Sequence, residues 1–399
     1  MKNLAQHSRK KLCLFHLIFF FFKIIGLAPF AVDIPRLLEA KKEHNSPKKT
    51  FTASTIGIIH NCALIACIIY VDSQTFDSVR RDPSAQVIKL PKIIGRCLTA
   101  IGFLLSIFIW ALYILRVRRI VALANELLEI DGIMFRANSL HLKFPKAIVL
   151  VSAVHFTMSG YLIAAEVSTQ QTSIHVLIVF VLPSIIVSWT LVQYSLVLHM
   201  IEERIANVNR SLLEIGNIPM ELAMPSLFVR KIPVTKDATA KIVSIRRVDV
   251  DLCDLCYKIR DFYAPPTLMT VTFFGASLVY SGYFLVMPFI TRSDPHFHLT
   301  YINGIAWLSL QLSCLFNLTI SVTKITRTIR KTVNFVHLLL DCCVLPSDAS
   351  AELKGFSRQI LMKKFQLSVY DMFPLDNSLL SSIAGFIITN LIILIQFST

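Results

Sequence analysis

The sequence predicts an all-α membrane protein of seven transmembrane helices, with a cytoplasmic N-terminus, an extracellular C-terminus and long cytoplasmic helix extensions. Three observations carry that prediction. The 399-residue chain is 54% hydrophobic and only 16% charged, with 28 Phe against 12 Gly, which is too apolar for one or two soluble domains. Seven stretches are long enough to cross about 30 Å of hydrocarbon at about 1.5 Å per residue. Lys and Arg gather on one side of those stretches.

The predicted spans cover 51–71, 93–115, 146–165, 174–198, 267–290, 301–323 and 378–397. Segments 1–50, 116–146, 199–266 and 324–377 hold 34 of the 40 Lys and Arg, and the alternate side, 72–96 and 291–300, holds 6. Basic residues near helix ends stay in the cytoplasm, so the N-terminus is predicted inside and the C-terminus, seven crossings later, outside. Asn209-Arg210-Ser211 then falls on the cytoplasmic side and Asn317-Leu318-Thr319 within the sixth span, so neither serves as a glycosylation acceptor. The net charge of +15 would suggest nucleic acid in a soluble protein. Here the charge lies between apolar segments and serves topology, so the partners are the lipid bilayer and not nucleic acid.

An eighth apolar run, 12–32, follows Arg9-Lys10-Lys11 and superficially resembles a signal peptide. As a full span it would invert the topology, and Lys23 at its centre would cost about 2.5–3.5 kcal/mol. It is therefore predicted as an interfacial or re-entrant cytoplasmic segment ending at Pro29 and Pro35. In 199–216, Ile201, Ile205, Val208, Leu212 and Ile215 recur at helical spacing, which extends the fourth span into the cytoplasm. Residues 248–263 repeat the pattern up to Pro265-Pro266, and 217–240 between them reads as a loop. The organisation is thus 1–50 as a cytoplasmic N-terminal region, 51–323 as a six-helix ligand-binding bundle with extensions in 199–266, 324–377 as a cytoplasmic anchor, and 378–399 as the seventh helix.

Chemistry-bearing clusters are sparse. Cys253-Asp-Leu-Cys256 has no second pair and no His-x-x-x-His at zinc spacing, so no metal and no cofactor are expected. His60, His155 and His199 stand alone and read as packed or interfacial. The seventh helix is different. Ser378, Ser382, Gly385, Thr389 and Gln396 recur four, three, four and seven residues apart, forming one stripe of small and polar side chains. A glutamine amide in hydrocarbon needs partners or water, so the stripe is predicted to face protein or an aqueous path. The alternative is that the small residues only let helices pack closely.

The end of the chain resembles the terminal signature of insect gustatory receptors. Thr389-Asn390, five apolar residues and Gln396-Phe397 parallel the family's Thr-Tyr, five hydrophobics, Gln-Phe, and Met372-Phe373-Pro374-Leu375-Asp376-Asn377-Ser378-Leu379-Leu380 with Gly385 fits the segment before it. Weaker similarities are Leu27-Ala28-Pro29-Phe30, Gln193-Tyr194 leading to Arg204-Ile205, Val208-Asn209-Arg210-Ser211-Leu212, 252–263 and Arg330-Lys331-Thr332. Asn390 departs from the family's usual Tyr, which bears on a helix contact and not on the fold.

The resemblance implies a taste receptor in the plasma membrane of sensory neurons. By the same resemblance it is a ligand-gated, nonselective cation channel, assembled as a homo- or hetero-tetramer with related receptors. Gln396 and Phe397 would form the pore constriction, with Thr389 on the same face. It implies a small-molecule tastant, with a bitter or plant secondary compound favoured over a sugar because such receptors are the most numerous in the family. It also places ligand recognition in the outer half of the bundle. Candidates there are Tyr161, Glu166, Tyr280, Tyr283, Asn303, Trp307 and Gln311. The last three, four residues apart, are expected to share one face suited to stacking and hydrogen bonding. A packed core or an interfacial aromatic belt is the competing reading of the same residues.

A G-protein-coupled seven-helix receptor is the main rival. It needs an extracellular N-terminus, and Asp-Arg-Tyr after the third span and Asn-Pro-x-x-Tyr in the last are absent. An enzyme would want paired carboxylates or a Ser/His arrangement within the membrane, which Glu166 alone does not supply. A transporter would show an internal repeat, and none is visible.

Overall fold

The computed structural model describes residues 16–33, 50–80, 90–138, 146–170, 181–216, 218, 232–233, 238–291, 297–362 and 365–396. Residues 12–15, the start of the fourth span at 174–180, most of the predicted loop 217–240, and Phe397 lie outside the described residues. The helices are α1 (16–24), α2 (Thr55–Arg80), α3 (Leu90–Leu115), α4 (Val117–Asn138), α5 (Lys146–Gln170), α6 (Leu182–Ile215), α7 (Ala238–Thr291), α8 (Phe297–Cys342), α9 (Ser347–Met362) and α10 (Asn377–Gln396). Seven of them, α2, α3, α5, α6, α7, α8 and α10, are long and apolar enough to cross a membrane.

Three two-residue or three-residue pairings interrupt the all-α expectation. β1 (Phe30–Val32) pairs antiparallel with β2 (Phe51–Ala53), β3 (Ile232–Pro233) parallel with β4 (Cys343–Val344), and β5 (Ser368–Val369) antiparallel with β6 (Phe373–Pro374). The first corrects a boundary: residues 51–53 are extended and the first span begins at Thr55. Asn125 of α4 holds them there. Its Oδ1 accepts from the Thr50 and Phe51 N–H groups at 3.1 and 3.0 Å, and its Nδ2 donates to the Phe51 carbonyl at 3.0 Å. Ser54 then starts α2, its Oγ accepting from the Gly57 N–H at 3.2 Å.

α6 is the central post. Of the residues in its apolar window 83% are buried, against 6% for α10. Trp189, fully buried, is boxed by Phe21 and Phe156 at 4.5 Å, His155 at 4.6 Å and Phe22 at 5.7 Å. α7 is longer than expected: one helix of 54 residues runs through Pro265-Pro266, where the sequence suggested a boundary. Pro265 has no N–H for the Asp261 carbonyl, and Arg116, at the α3–α4 junction, donates to that oxygen from Nη1 at 3.5 Å.

The described part of the 12–32 run packs one face into the bundle, with Ile18, Phe22, Ile25, Leu27, Ala28 and Phe30 buried, while Leu17, Phe20 and Ile24 stay exposed on the other. Its end unwinds, so successive carbonyls lose helical donors, and side chains replace them. His60 Nε2 meets the Ile24 carbonyl at 2.9 Å, Trp110 Nε1 donates to Ile25 at 2.9 Å, Asn61 Nδ2 to Gly26 at 2.8 Å, and Gln193 Nε2 to Leu27 at 3.0 Å. Gly26 makes this possible with φ +79°, and a Cβ there would lie 2.6 Å from Trp110 Nε1. Gly26→Ala is expected to destabilise the fold by about 1–3 kcal/mol from backbone strain alone, before the clash. Thermal unfolding of the purified protein checks it; an unchanged midpoint would contradict the latch.

The polar end of the bundle is built from the long helices α6, α7 and α8 with α4 and α9. α4 was not anticipated, although Val117, Leu127, Ile130 and Met134 form a buried face at helical spacing. It is tied to α6 by Arg204, whose Nε and Nη2 each reach Asp131 at 2.7 Å. Arg246 of α7 binds Glu352 and Gln359 of α9 at 2.8 and 3.0 Å. Lys324 and Thr328 of α8 meet Glu202 of α6 at 2.9 and 3.1 Å.

Candidate functional site: the closing helix and the α5–α8 polar cluster

α10 begins with a built cap. Asp376 Oδ1 accepts from the Ser378 N–H at 2.9 Å and from its hydroxyl at 2.6 Å. Those two bonds from Ser378, side chain first, hold the Asp376 carboxyl below the usual carboxylate range. A carboxyl acidified in the folded state contributes stability above its ordinary pKa and loses it as pH falls through the lowered one. Asp376→Asn keeps an N-cap but removes the charge, so the acid limb of its melting-temperature profile is expected to flatten relative to wild type. Superimposable profiles would contradict the assignment.

Beyond the cap, α10 packs by one face only. Leu379 and Ile383 are buried, and Ile387, Asn390, Leu391 and Leu394 are half-buried. α7 meets α10 at two glycines, where an added Cβ would make ordinary van der Waals contact, 3.7 Å from the Phe386 ring at Gly275 and 3.8 Å from Leu391 at Gly282. At about 100° per residue the stripe of Ser378, Ser382, Gly385, Thr389 and Gln396 is centred on the opposite side of the helix. All five are exposed, and a Cβ on Gly385 would meet nothing within 4 Å. Ser382 and Thr389 turn their hydroxyls onto the carbonyls of Ser378 and Gly385 at 3.1 and 2.9 Å, which satisfies them within the helix. Asn390 does the same, donating from Nδ2 to the Phe386 carbonyl at 2.8 Å.

The second cluster joins α5 to α8. Glu166, 4% exposed, receives the Asn303 amide at 2.9 Å and the Trp307 indole N–H at 2.8 Å, both on Oε1. Trp307 packs, with Met158 and Ile185, against a buried apolar cluster of Leu162, Ala165, Val181, Ala306 and Leu310. Gln311 does not join them. Its Nε2 donates to Ser277 Oγ of α7 at 2.7 Å. Steps of four residues advance a helix by about 400°, so the stripe drifts about 80° between Asn303 and Gln311 and turns from α5 to α7. Tyr280 and Tyr283 form a third group around Phe284, at 4.7 and 5.6 Å between ring centroids, and the Tyr280 hydroxyl lies against Gly95 of α3. Tyr161 is 41% exposed and lies about 140° around α5 from Glu166, pointing off the bundle.

α8 therefore carries a ladder of polar contacts from Asn303 to Thr328. Below Gln311, Cys314 Sγ approaches His155 Nδ1 at 3.7 Å, Ser321 Oγ meets His199 Nε2 at 3.0 Å, and Thr328 binds Glu202. His155 also meets Ser188 Oγ at 3.1 Å. Sequence reasoning missed Ser277 and Ser188 as partners, because a lone serine in an apolar span has no periodic signal. Among the described residues no group of three or more His, Cys, Asp or Glu is placed to hold a metal ion.

A family model described as 7tm chemosensory receptor matches residues 15–399. The chain is 22% identical over 236 residues to "Putative gustatory receptor 28b" of Drosophila melanogaster, covering 55% of this chain and 50% of that one, so it spans about half the length of this curated relative. Its fold is similar to that of the insect olfactory receptor OR5 from Machilis hrabei, with a TM-score of 0.65, 13% identity, and 98% and 99% of the two chains covered. The same receptor in complex with eugenol gives a TM-score of 0.64 at 12% identity over 98% and 99% of the chains. The α10 signature, the seven apolar helices and the match across nearly the whole chain agree: this protein belongs to the 7tm chemosensory receptor family.

Proposed function

We propose that this chain is one subunit of a gustatory, ligand-gated, nonselective cation channel in the plasma membrane of sensory neurons. Four copies, alike or mixed with related receptors, place α10 around a central pore. The observation that carries the reading is the orientation of α10: its apolar face packs on α7 and its polar stripe points directly away from its own bundle. Four such stripes make a polar conduit, with Gln396 and Phe397 at the constriction and Thr389 on the same wall. The basic residues at the polar end keep the N-terminus and the 324–377 anchor in the cytoplasm and bring Gln396 to the outer side.

The ligand binds in the outer half of the bundle 51–323, at Glu166, Asn303 and Trp307, with Gln311, Tyr280 and Tyr283 on the neighbouring α7 seam. A bitter or plant secondary compound suits this cluster better than a sugar, because its walls are apolar and its aromatic is a half-buried indole. Gating follows if the ligand binds the open state more tightly; a shift from 1:99 to 99:1 needs about 5.5 kcal/mol of differential binding summed over sites. α7 transmits it, since its outer half touches α10 at Gly275 and Gly282. The test is calcium imaging of expressing cells against sugars and plant extracts, followed by Trp307→Ala. Loss of response to the active fraction with surface expression intact is expected; an unchanged dose–response would remove Trp307 from the site.

A further inference from the structure

We infer that the Asn303 side-chain oxygen selects for ligands that donate a hydrogen bond, an alcohol, phenol or amine N–H on an apolar or aromatic body. The inference rests on the reading of the Glu166, Asn303 and Trp307 cluster as the ligand site. A carboxylate oxygen accepts and does not donate, so the nitrogen of the Asn303 amide must face Glu166, as its 2.9 Å bond shows. That fixes the amide. Asn303 Oδ1 is the other end of that amide, and among the described residues this buried oxygen has no hydrogen-bond partner. Gln311 has a similar orphan, Oε1, but an amide flip would let the Ser277 hydroxyl donate to it instead. Asn303 has no such escape, because a flip would set its oxygen against the carboxylate.

A buried acceptor without a donor is costly, and that cost is relieved by any ligand bringing one. The same group penalises a ligand of equal shape whose donor has been capped, since the acceptor then stays unpaired behind it. Trp307 supplies the stacking surface. Its N–H is already committed to Glu166, so it cannot donate to the ligand, and the polar demand of the site falls on the acceptor side.

The protein carries its own reporter. Of its three tryptophans, Trp110 and Trp189 are 1% and 0% exposed while Trp307 is half-buried. Quenching of Trp307 fluorescence in the purified full-length chain therefore reads occupancy of this site, with Trp307→Phe as the blank. The probes are matched pairs: 4-propylphenol with 4-propylanisole, and 2-phenylethanol with its methyl ether. The donors are expected to bind about ten- to a hundredfold more tightly than their ethers. Asn303→Leu is expected to shrink that gap to about threefold or less, chiefly by weakening the donors. Ethers that quench at the same concentrations as their parents would overturn the donor rule while leaving the site reading intact. No quenching by any probe would overturn the site reading and the inference with it. If Asn303→Leu does not fold, the wild-type pairs decide the matter alone.

Discussion

Gln396→Ala is expected to change ion selectivity or gating while surface expression stays at the wild-type level. Gln396 is exposed at the far end of α10, whose buried residues are Leu379 and Ile383, so its truncation should cost the fold less than about 0.5 kcal/mol. The functional effect is separate from the fold. In the proposed tetramer four amides ring the axis, and losing about 1 kcal/mol of coordination between an amide oxygen and a permeating cation corresponds to about a fivefold change in relative permeability. Reversal potentials in patch-clamp recordings with sodium, potassium and a large organic cation measure it. Unchanged selectivity and open probability would remove Gln396 from the pore.

Breaking the Arg204–Asp131 pair is expected to be the largest stability loss at the polar end. The pair is bidentate, its side chains are only 9% and 13% exposed, and Arg204 Nη1 also donates to the Met200 carbonyl at 2.6 Å. Arg204→Ala or Asp131→Asn leaves a buried partner unpaired, at a cost of about 3–5 kcal/mol. The double replacement Arg204→Met with Asp131→Leu is expected to recover most of that, since apolar substitutes of similar volume need no partner. Lys258–Glu126, with side chains 54% and 32% exposed, is the contrast: its removal should cost at most about 1 kcal/mol. Fluorescence-detected thermal unfolding checks all four variants. Singles that melt with wild type, or a double that melts below both singles, would contradict the account.

Much of this architecture could be read from residues alone, because membrane spans announce themselves by length and apolarity. α3 matches its predicted boundaries within three residues, and α10 matches its own within one. The stripe on α10 was legible because small and polar side chains recur at helical spacing against an apolar background. What escaped lies where tertiary contacts override local pattern. Residues 51–53 look like the start of a span, yet Asn125, more than seventy positions away, holds them extended. Pro265-Pro266 looks like a break, yet neighbouring packing and Arg116 carry the helix through it. Asn303, Trp307 and Gln311 look like one face, yet the drift of about 40° per four-residue step splits them between α5 and α7. The carbonyl ladder at residues 24–27 left no signal of its own; isolated polar residues such as Asn61, Trp110 and Gln193 in apolar spans were its trace.

The central claim is that the polar stripe of α10 faces a water-filled path between subunits. Single cysteines at Ser382, Gly385 and Thr389, compared with cysteines at Leu379, Ile383 and Ile387, test it through modification by a charged, membrane-impermeant methanethiosulfonate reagent during agonist application. The account predicts that the first set is modified and the current blocked only when the channel is open, and that the second set is untouched. Modification confined to the second set, or currents insensitive to reagent at every stripe position, would contradict it.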